Sequence, residues 1–97
     1  MEKVKNLNRR EIYKKAAEKY GSSGQTIKCI EELSELQKEL CKALLGEKNR
    51  GRIAEELADA YIMIEQMIGI YDCEEMFHGC RLYKIDRLAK RLEGEEK

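Results

Sequence analysis

Two short acidic strings are the part of this sequence best suited to chemistry. They read EELSE at positions 31–35 and EELAD at positions 55–59. Each string ends in two acids spaced i and i+3, which are Glu32 and Glu35 in the first and Glu56 and Asp59 in the second. Residues three apart in a helix lie side by side on one face. Carboxylates without His or Cys suit a hard cation such as Mg²⁺ or Mn²⁺, so this pattern favours such an ion over zinc.

The second string lies in an apolar stretch. Positions 57–64 read LADAYIMI, in which Asp59 is the one charged residue. A helix that is apolar nearly all round is expected to be buried, and an ionised carboxylate within it is costly unless it is paired or bound to a cation. No basic residue lies three or four positions from Asp59, and Glu56 has only Arg52. The sequence therefore predicts buried acids that need a divalent metal, and such Mg²⁺ sites usually share the ion with substrate phosphates.

The first string leaves two interpretations open. Its helix has an apolar stripe of Cys29/Ile30, Leu33, Leu36, Leu40/Cys41 and Leu44. Glu35 lies on the far side of the helix from this stripe, and Glu32 lies near its edge. Taken alone, this helix is equally consistent with a metal-binding face and with an ordinary solvated surface.

The elements that must position these acids are helices. The chain has no proline, and 16 of its 19 acidic residues are Glu, a good helix former. Apolar spacing predicts helices over about 8–20, 25–45, 52–68 and 74–92, separated by a turn at 21–24, a polar loop at 47–51 and a break at 71–73. We therefore expect a single all-α domain spanning 1–97, with four helices in a core of about 8–92 and charged termini.

The formal net charge of zero is a sum of unequal parts. Residues 1–28 carry a balance of +5, residues 29–80 a balance of −7 and residues 81–97 a balance of +2. An acidic middle between basic ends argues against a nucleic-acid binder, which normally has a clear basic excess. The charged start lacks the apolar region of a signal peptide, and no apolar run is long enough for a membrane span. We expect a cytoplasmic protein without a membrane partner.

A zinc site is the alternative that the cysteines suggest. Cys73, His78 and Cys80 lie close together in sequence, but they lack the C-x-x-C spacing of structural zinc sites. Free cysteines in a reducing compartment more often pack as small apolar residues. Packing is therefore the favoured role for these residues.

The two acidic strings resemble the E-x-x-E and E-x-x-D motifs of the MazG-like all-α nucleoside triphosphate pyrophosphohydrolases, relatives of the dimeric dUTPases and dCTPases. Glu31 and Glu55 precede the motifs, a leucine follows Glu35, and Gly24-Gln25 stands upstream. The resemblance covers about residues 20–70. It implies a MazG-like four-helix bundle that hydrolyses a nucleoside triphosphate to the monophosphate and pyrophosphate, using Mg²⁺, or Mn²⁺ in its place, and a metal-activated water.

Carried over by the resemblance, the metal ligands are Glu32, Glu35, Glu56 and Asp59. Glu31 becomes a further ligand or a base that positions water, and Glu35 shares the catalytic role. Family members commonly form dimers or tetramers with composite sites, which would explain a solvent-facing Glu35 in one chain. The resemblance therefore implies a homodimer or homotetramer.

Substrate contacts are predicted from the basic residues. Lys84, Arg87 and Arg91 recur along one face of the last helix, and Lys28 lies one turn before the first motif. These cations are either solvated or reach the triphosphate. A pocket for the base would draw on Tyr13, Tyr20, Gln25, Tyr61 and Met63, although core packing is the favoured role at these positions. We predict Lys28, Lys84, Arg87 and Gln25 as substrate-binding residues.

A second class of function fits the same helices. Small size, amphipathic helices and the lack of a clear base-reading signature are also typical of a non-catalytic oligomerisation or regulatory module.

Overall fold

The computed structural model describes residues 8–96, which form three helices and no strand. Helix α1 spans Arg9–Leu44, α2 spans Arg50–Ile70 and α3 spans Glu74–Glu96. The all-α class predicted from the sequence is confirmed for this range. None of these helices is apolar over a stretch long enough to cross a lipid bilayer.

Helix α1 contains a kink at the position where the sequence predicts a turn. Gly21 has φ 79° and ψ 158°, a left-handed φ that glycine adopts without a Cβ clash. Ser22, Ser23 and Gly24 are helical, so the predicted four-residue turn is wrong in extent and only Gly21 leaves the helical conformation. The predicted first and second helices are therefore two arms of α1. Asn8 caps the first arm, because its side chain accepts a hydrogen bond of 2.8 Å from the Glu11 N–H.

Helices α2 and α3 differ from their predicted bounds by a few residues. Helix α2 begins at Arg50 and ends at Ile70, two residues beyond the prediction at each end. Helix α3 begins at Glu74, as predicted, and extends to Glu96. The linker between them includes Asp72 at φ 48°, so a short polar residue occupies a left-handed position.

Helices α1 and α2 run antiparallel and bury a small, mixed core. The buried apolar residues are Cys29, Ala60 and Met63, and the buried polar residues are Gln25, Glu39 and Gln66. The inward stripe of α1 follows the spacing 25, 29, 32, 36 and 39, which alternates steps of four and three residues. Half of the buried residues of the helix pair are therefore polar.

Much apolar surface stays uncovered in the single chain. On α1, Ile30, Leu33 and Leu40 are exposed, and on α2 so are Leu57 and Tyr61. The prediction that the LADAYIMI stretch is buried is therefore wrong for one chain, because α1 covers only one side of α2. Every side chain from 78 to 95 on α3 is also exposed.

The total exposed area is large for the mass. The chain exposes 8320 Å², whereas a compact monomer of this size exposes about 5,700 Å². The eight residues outside the described range account for about 1,300 Å² at most, in any conformation. The helices themselves thus expose at least about 1,300 Å² more than a compact monomer would.

Candidate metal centre

Three carboxylates from the two acidic strings converge between α1 and α2. One oxygen from each of Glu32, Glu56 and Asp59 lies within 4.8 Å of the others. The described part of the chain contains no other group of three His, Cys, Asp or Glu side chains that meets this criterion. An all-oxygen set of this kind matches the ligand preference of Mg²⁺ or Mn²⁺.

The helix pair determines how far each of these acids is buried. Glu32 belongs to the inward stripe of α1 and its side chain is only 14% exposed. Glu56 is half-buried on α2. Asp59 is exposed, so the expectation that it is buried is wrong for the single chain. It lies at the edge of the α1–α2 contact, where a ligand has access from solvent.

The carboxylates of this cluster disfavour one another's charge. Burial raises the pKa of Glu56, and the negative charges of Asp59, Glu32, Glu35 and Glu39 raise it further. Without a cation the cluster is therefore electrostatically unfavourable. A divalent ion would reverse this effect.

Lys28 supplies one positive charge to the cluster. Its Nζ lies 3.3 Å from Oε1 of Glu32, one turn further along α1. The hydrogen bond and charge of Glu32, followed by the charges of Glu31 and Asp59, raise the pKa of Lys28. The predicted phosphate-binding Lys28 is thus beside the acids, and in the single chain it acts as their counter-ion.

The other two acids predicted for the site lie outside the three-carboxylate cluster. Glu31 and Glu35 are exposed on α1. The exposure of Glu35 agrees with its predicted position on the far side of the apolar stripe. Its charge nevertheless acts on Glu56, which places it near the cluster. The catalytic roles of Glu31 and Glu35 stay predictions.

The other predicted substrate-binding residues contact groups outside the cluster or are exposed. Gln25 is buried, and its Nε2 donates to Oε1 of Gln66 at 2.7 Å. Lys84 and Arg87 are exposed on α3, and the Arg87 guanidinium carbon lies 5.9 Å from the centroid of the Tyr83 ring. Their contacts with substrate stay predictions.

The aromatic residues considered for base recognition do not form one pocket. Tyr13 and Tyr61 line an open cavity of about 1010 Å³ beside the start of α3. Tyr20 is exposed and Met63 is buried in the core. The Tyr13 hydroxyl donates to Oε1 of Glu65 at 2.7 Å. Burial, then this hydrogen bond and the Glu65 charge, raise the pKa of Tyr13 to about 12.

The alternative zinc ligands do not converge. The Cys73 thiol points to the Ile68 carbonyl at 3.8 Å, and Nε2 of His78 lies 4.0 Å from Glu74. Cys80 is exposed. Within residues 8–96 these side chains form no three-ligand group.

Two residues near the cluster were not identified from the sequence. Glu39 is only 5% exposed, and it accepts hydrogen bonds from Asn49 and Lys42. The Asn49 hydrogen bond, helped by Lys42, lowers the pKa of Glu39 although burial opposes this. The one signal available in the sequence was the position of Glu39, seven residues after Glu32.

Comparison with known proteins gives no match: no family model fits the chain, and no curated protein or solved structure is significantly similar to it. The function is therefore inferred from the residues and their geometry.

Proposed function

We propose that this protein is a Mg²⁺-dependent nucleoside triphosphate pyrophosphohydrolase that yields a monophosphate and pyrophosphate. The observation that carries the proposal is the convergence of Glu32, Glu56 and Asp59 within 4.8 Å. These residues come from the two strings that resemble the MazG-like motifs, and they meet from opposite helices. The raised pKa of Glu56 is a second support, because it is the expected signature of carboxylates gathered to hold a cation.

The chain's own residues have separable roles in this proposal. Glu32, Glu56 and Asp59 hold the ion, and Glu35 completes the set from the margin. When bound, a divalent ion supplies positive charge to the phosphates and lowers the pKa of a water bound to it. Glu31 or Glu35 orients the attacking water and accepts its proton. The Lys28 ammonium group is paired with Glu32 in the single chain. When substrate binds, it can leave this carboxylate and pair with a phosphate oxygen instead.

We further propose that the working form is a homodimer or homotetramer that completes a MazG-like four-helix bundle. Four helical segments are present when the two arms of α1 are counted separately with α2 and α3. The excess exposed area of at least about 1,300 Å² per chain is in the range that stable interfaces bury. We propose that in this assembly Lys84 and Arg87 of one copy approach the acids of another copy. The cytoplasmic location stays a prediction.

The proposal is tested by turnover with a panel of nucleoside triphosphates and Mg²⁺. We expect pyrophosphate release by the wild type and its loss, by at least about 100-fold, in Glu56→Gln and Asp59→Asn. Glu55→Gln is the matched control, because Glu55 belongs to the same string but is exposed and outside the cluster. It should retain activity. Equal activity in Glu56→Gln and Glu55→Gln would contradict a role for the cluster.

A non-catalytic oligomerisation module is the second candidate. The observation in its favour is the full exposure of α3 beyond its first turn, since such a helix needs a partner. This candidate predicts no turnover with any triphosphate and a melting temperature that does not respond to Mg²⁺. Turnover that depends on Glu56 would exclude it.

A further inference from the structure

Two polar contacts tie α1 to α2 on either side of the acidic cluster. At one end, Nε2 of Gln25 donates to Oε1 of Gln66 at 2.7 Å. At the other, Nδ2 of Asn49 donates to Oε1 of Glu39 at 2.7 Å and to the Glu39 backbone oxygen at 2.9 Å. Gln25, Gln66 and Glu39 are all buried, so these are contacts inside the helix pair.

The two inter-helix contacts lie at equal distances along the sequence from the acidic cluster. Along α1, Gln25, Glu32 and Glu39 follow one another at intervals of seven residues. Along α2, the same interval separates Asn49 from Glu56 and separates Asp59 from Gln66. Since seven residues are close to two helical turns, the residues of each inter-helix contact lie on the same side of their helix as the acids. The carboxylates therefore lie midway between the two hydrogen-bonded contacts.

The acids themselves cannot hold this arrangement. One oxygen from each of the three carboxylates lies within 4.8 Å of the others, so in the absence of a cation their like charges repel one another across the helix pair. The apolar core offers little to oppose this, because Cys29, Ala60 and Met63 are its buried members. A shift of one residue along α2 would move its side chains by about 1.5 Å and turn them by about 100°. The cluster therefore depends on something that sets the register.

Asn49 contacts α1 instead of capping its own helix. It occupies the N-cap of α2, where an Asn side chain usually accepts a hydrogen bond from the backbone of the first turn. Here the side chain makes no cap hydrogen bond. Its amide group is directed across to Glu39, and its Oδ1 is buried without a hydrogen-bond partner within the described chain. The start of α2 is thus attached to α1 instead of being capped.

We propose that Glu39 and Asn49 are positioning residues, which fix the register of α1 and α2 so that Glu32, Glu56 and Asp59 converge. The Gln25–Gln66 contact secures the other end. Polar pairs in a helical interface often specify register in this way. This inference rests on the proposed metal site, but it assigns the ability to form that site to residues that do not touch the ion.

The test measures Mn²⁺ binding to the full chain by electron paramagnetic resonance, without nucleotide. In Asn49→Ser the shorter side chain cannot reach Glu39, and its hydroxyl is instead free to cap the first turn of α2. We expect this variant to bind Mn²⁺ about 10-fold more weakly, at the low end of the range for residues that orient metal ligands. Glu39→Ala should behave in the same way. Glu39→Gln keeps an oxygen for Asn49 and should retain most of the affinity.

Tyr13→Phe is the matched control. It also removes a 2.7 Å hydrogen bond between α1 and α2, the one to Glu65, but Tyr13 lies in the first arm of α1, beyond the kink at Gly21. It should lower the melting temperature and leave Mn²⁺ affinity unchanged. With Mg²⁺ and substrate, Asn49→Ser should need about 10-fold more Mg²⁺ for half-maximal turnover, with maximal turnover within about two-fold of the wild type.

The possible outcomes separate this inference from the proposed function. Wild-type protein that binds no Mn²⁺ would overturn both. Wild-type binding with equal affinity in Asn49→Ser and Glu39→Ala would overturn the positioning role alone. Equal losses of affinity in Asn49→Ser and Tyr13→Phe would also overturn it, because the effect would then follow from general destabilisation.

Discussion

Replacing Ile85 and Leu88 by lysine should strongly weaken the self-association of this protein. Both residues lie on one stripe of α3 together with Phe77 and Leu92, and within the described part of the chain every residue of α3 from 78 to 95 is exposed. An amphipathic helix of this kind is stable in water mainly when its apolar stripe is covered. We therefore expect the stripe to lie in the interface between copies.

The size of the effect follows from the exposed areas. Ile85 is 52% exposed and Leu88 is 49% exposed in the single chain. Complete burial of such a side chain stabilises a protein by about 1.5–3 kcal/mol, so covering the exposed half contributes about 1 kcal/mol. Both residues in both copies of a dimer therefore contribute about 4 kcal/mol. This corresponds to a change of about 10³-fold in the dissociation constant.

The assay is sedimentation equilibrium over a range of protein concentrations. The wild type should have two or four times the 11.3 kDa mass of one chain. The Ile85→Lys, Leu88→Lys variant should remain monomeric up to concentrations about 10³-fold higher than those at which the wild type dissociates. Tyr83→Lys is the matched control, because Tyr83 is 65% exposed but lies on the opposite face of α3. A wild type that is monomeric at high micromolar concentration, or a control that dissociates as readily, would refute the reasoning.

Three further predictions concern charge. In metal-free protein, Glu56→Gln should raise the melting temperature at pH 7. The raised pKa means that the wild type loses stability as pH rises through it, so the difference should shrink on acidification through the ordinary carboxyl range. Ultraviolet titration should reveal one tyrosine with a pKa of about 12 that is absent in Tyr13→Phe. Because this pKa is raised in the folded protein, the wild type should lose stability between about pH 10 and 12 as Tyr13 ionises. Tyr13→Phe has no hydroxyl to ionise there and should not show this loss. Lys28→Met should strengthen Mn²⁺ binding by a few-fold, as titrated by paramagnetic resonance, because Lys28 competes with the ion for Glu32; an unchanged affinity would contradict that competition.

Several features of the fold were predictable because they depend on local sequence. The helical class follows from the lack of proline and the abundance of Glu. The break at Gly21 follows from the conformational freedom of glycine, and its φ of 79° confirms it. Helix bounds were predicted to within a few residues. The extent of the turn after Gly21 was not, because serines are compatible with both a turn and a helix start.

Burial was predicted less well than helicity. The apolar sequence around Asp59 indicated a buried helix, and yet Asp59, Leu57 and Tyr61 are exposed in one chain. Periodicity reveals which faces of a helix are apolar, but not whether the same chain or another copy covers them. The inward face of α1 shows the same limit, since it includes Gln25 and Glu39 instead of the more apolar stripe beside it.

The sequence by itself determined that two i, i+3 acidic pairs lie on two helices, since this spacing depends only on the helical repeat. The tertiary structure decided which of these acids meet. In the folded chain Glu32 lies beside Glu56 and Asp59, and Glu35 lies outside this group. Asn49 donates a hydrogen bond to Glu39. Convergence between helices depends on register and on side-chain contacts between residues far apart in the chain. No local pattern encodes these, and only the packed helix pair reveals them.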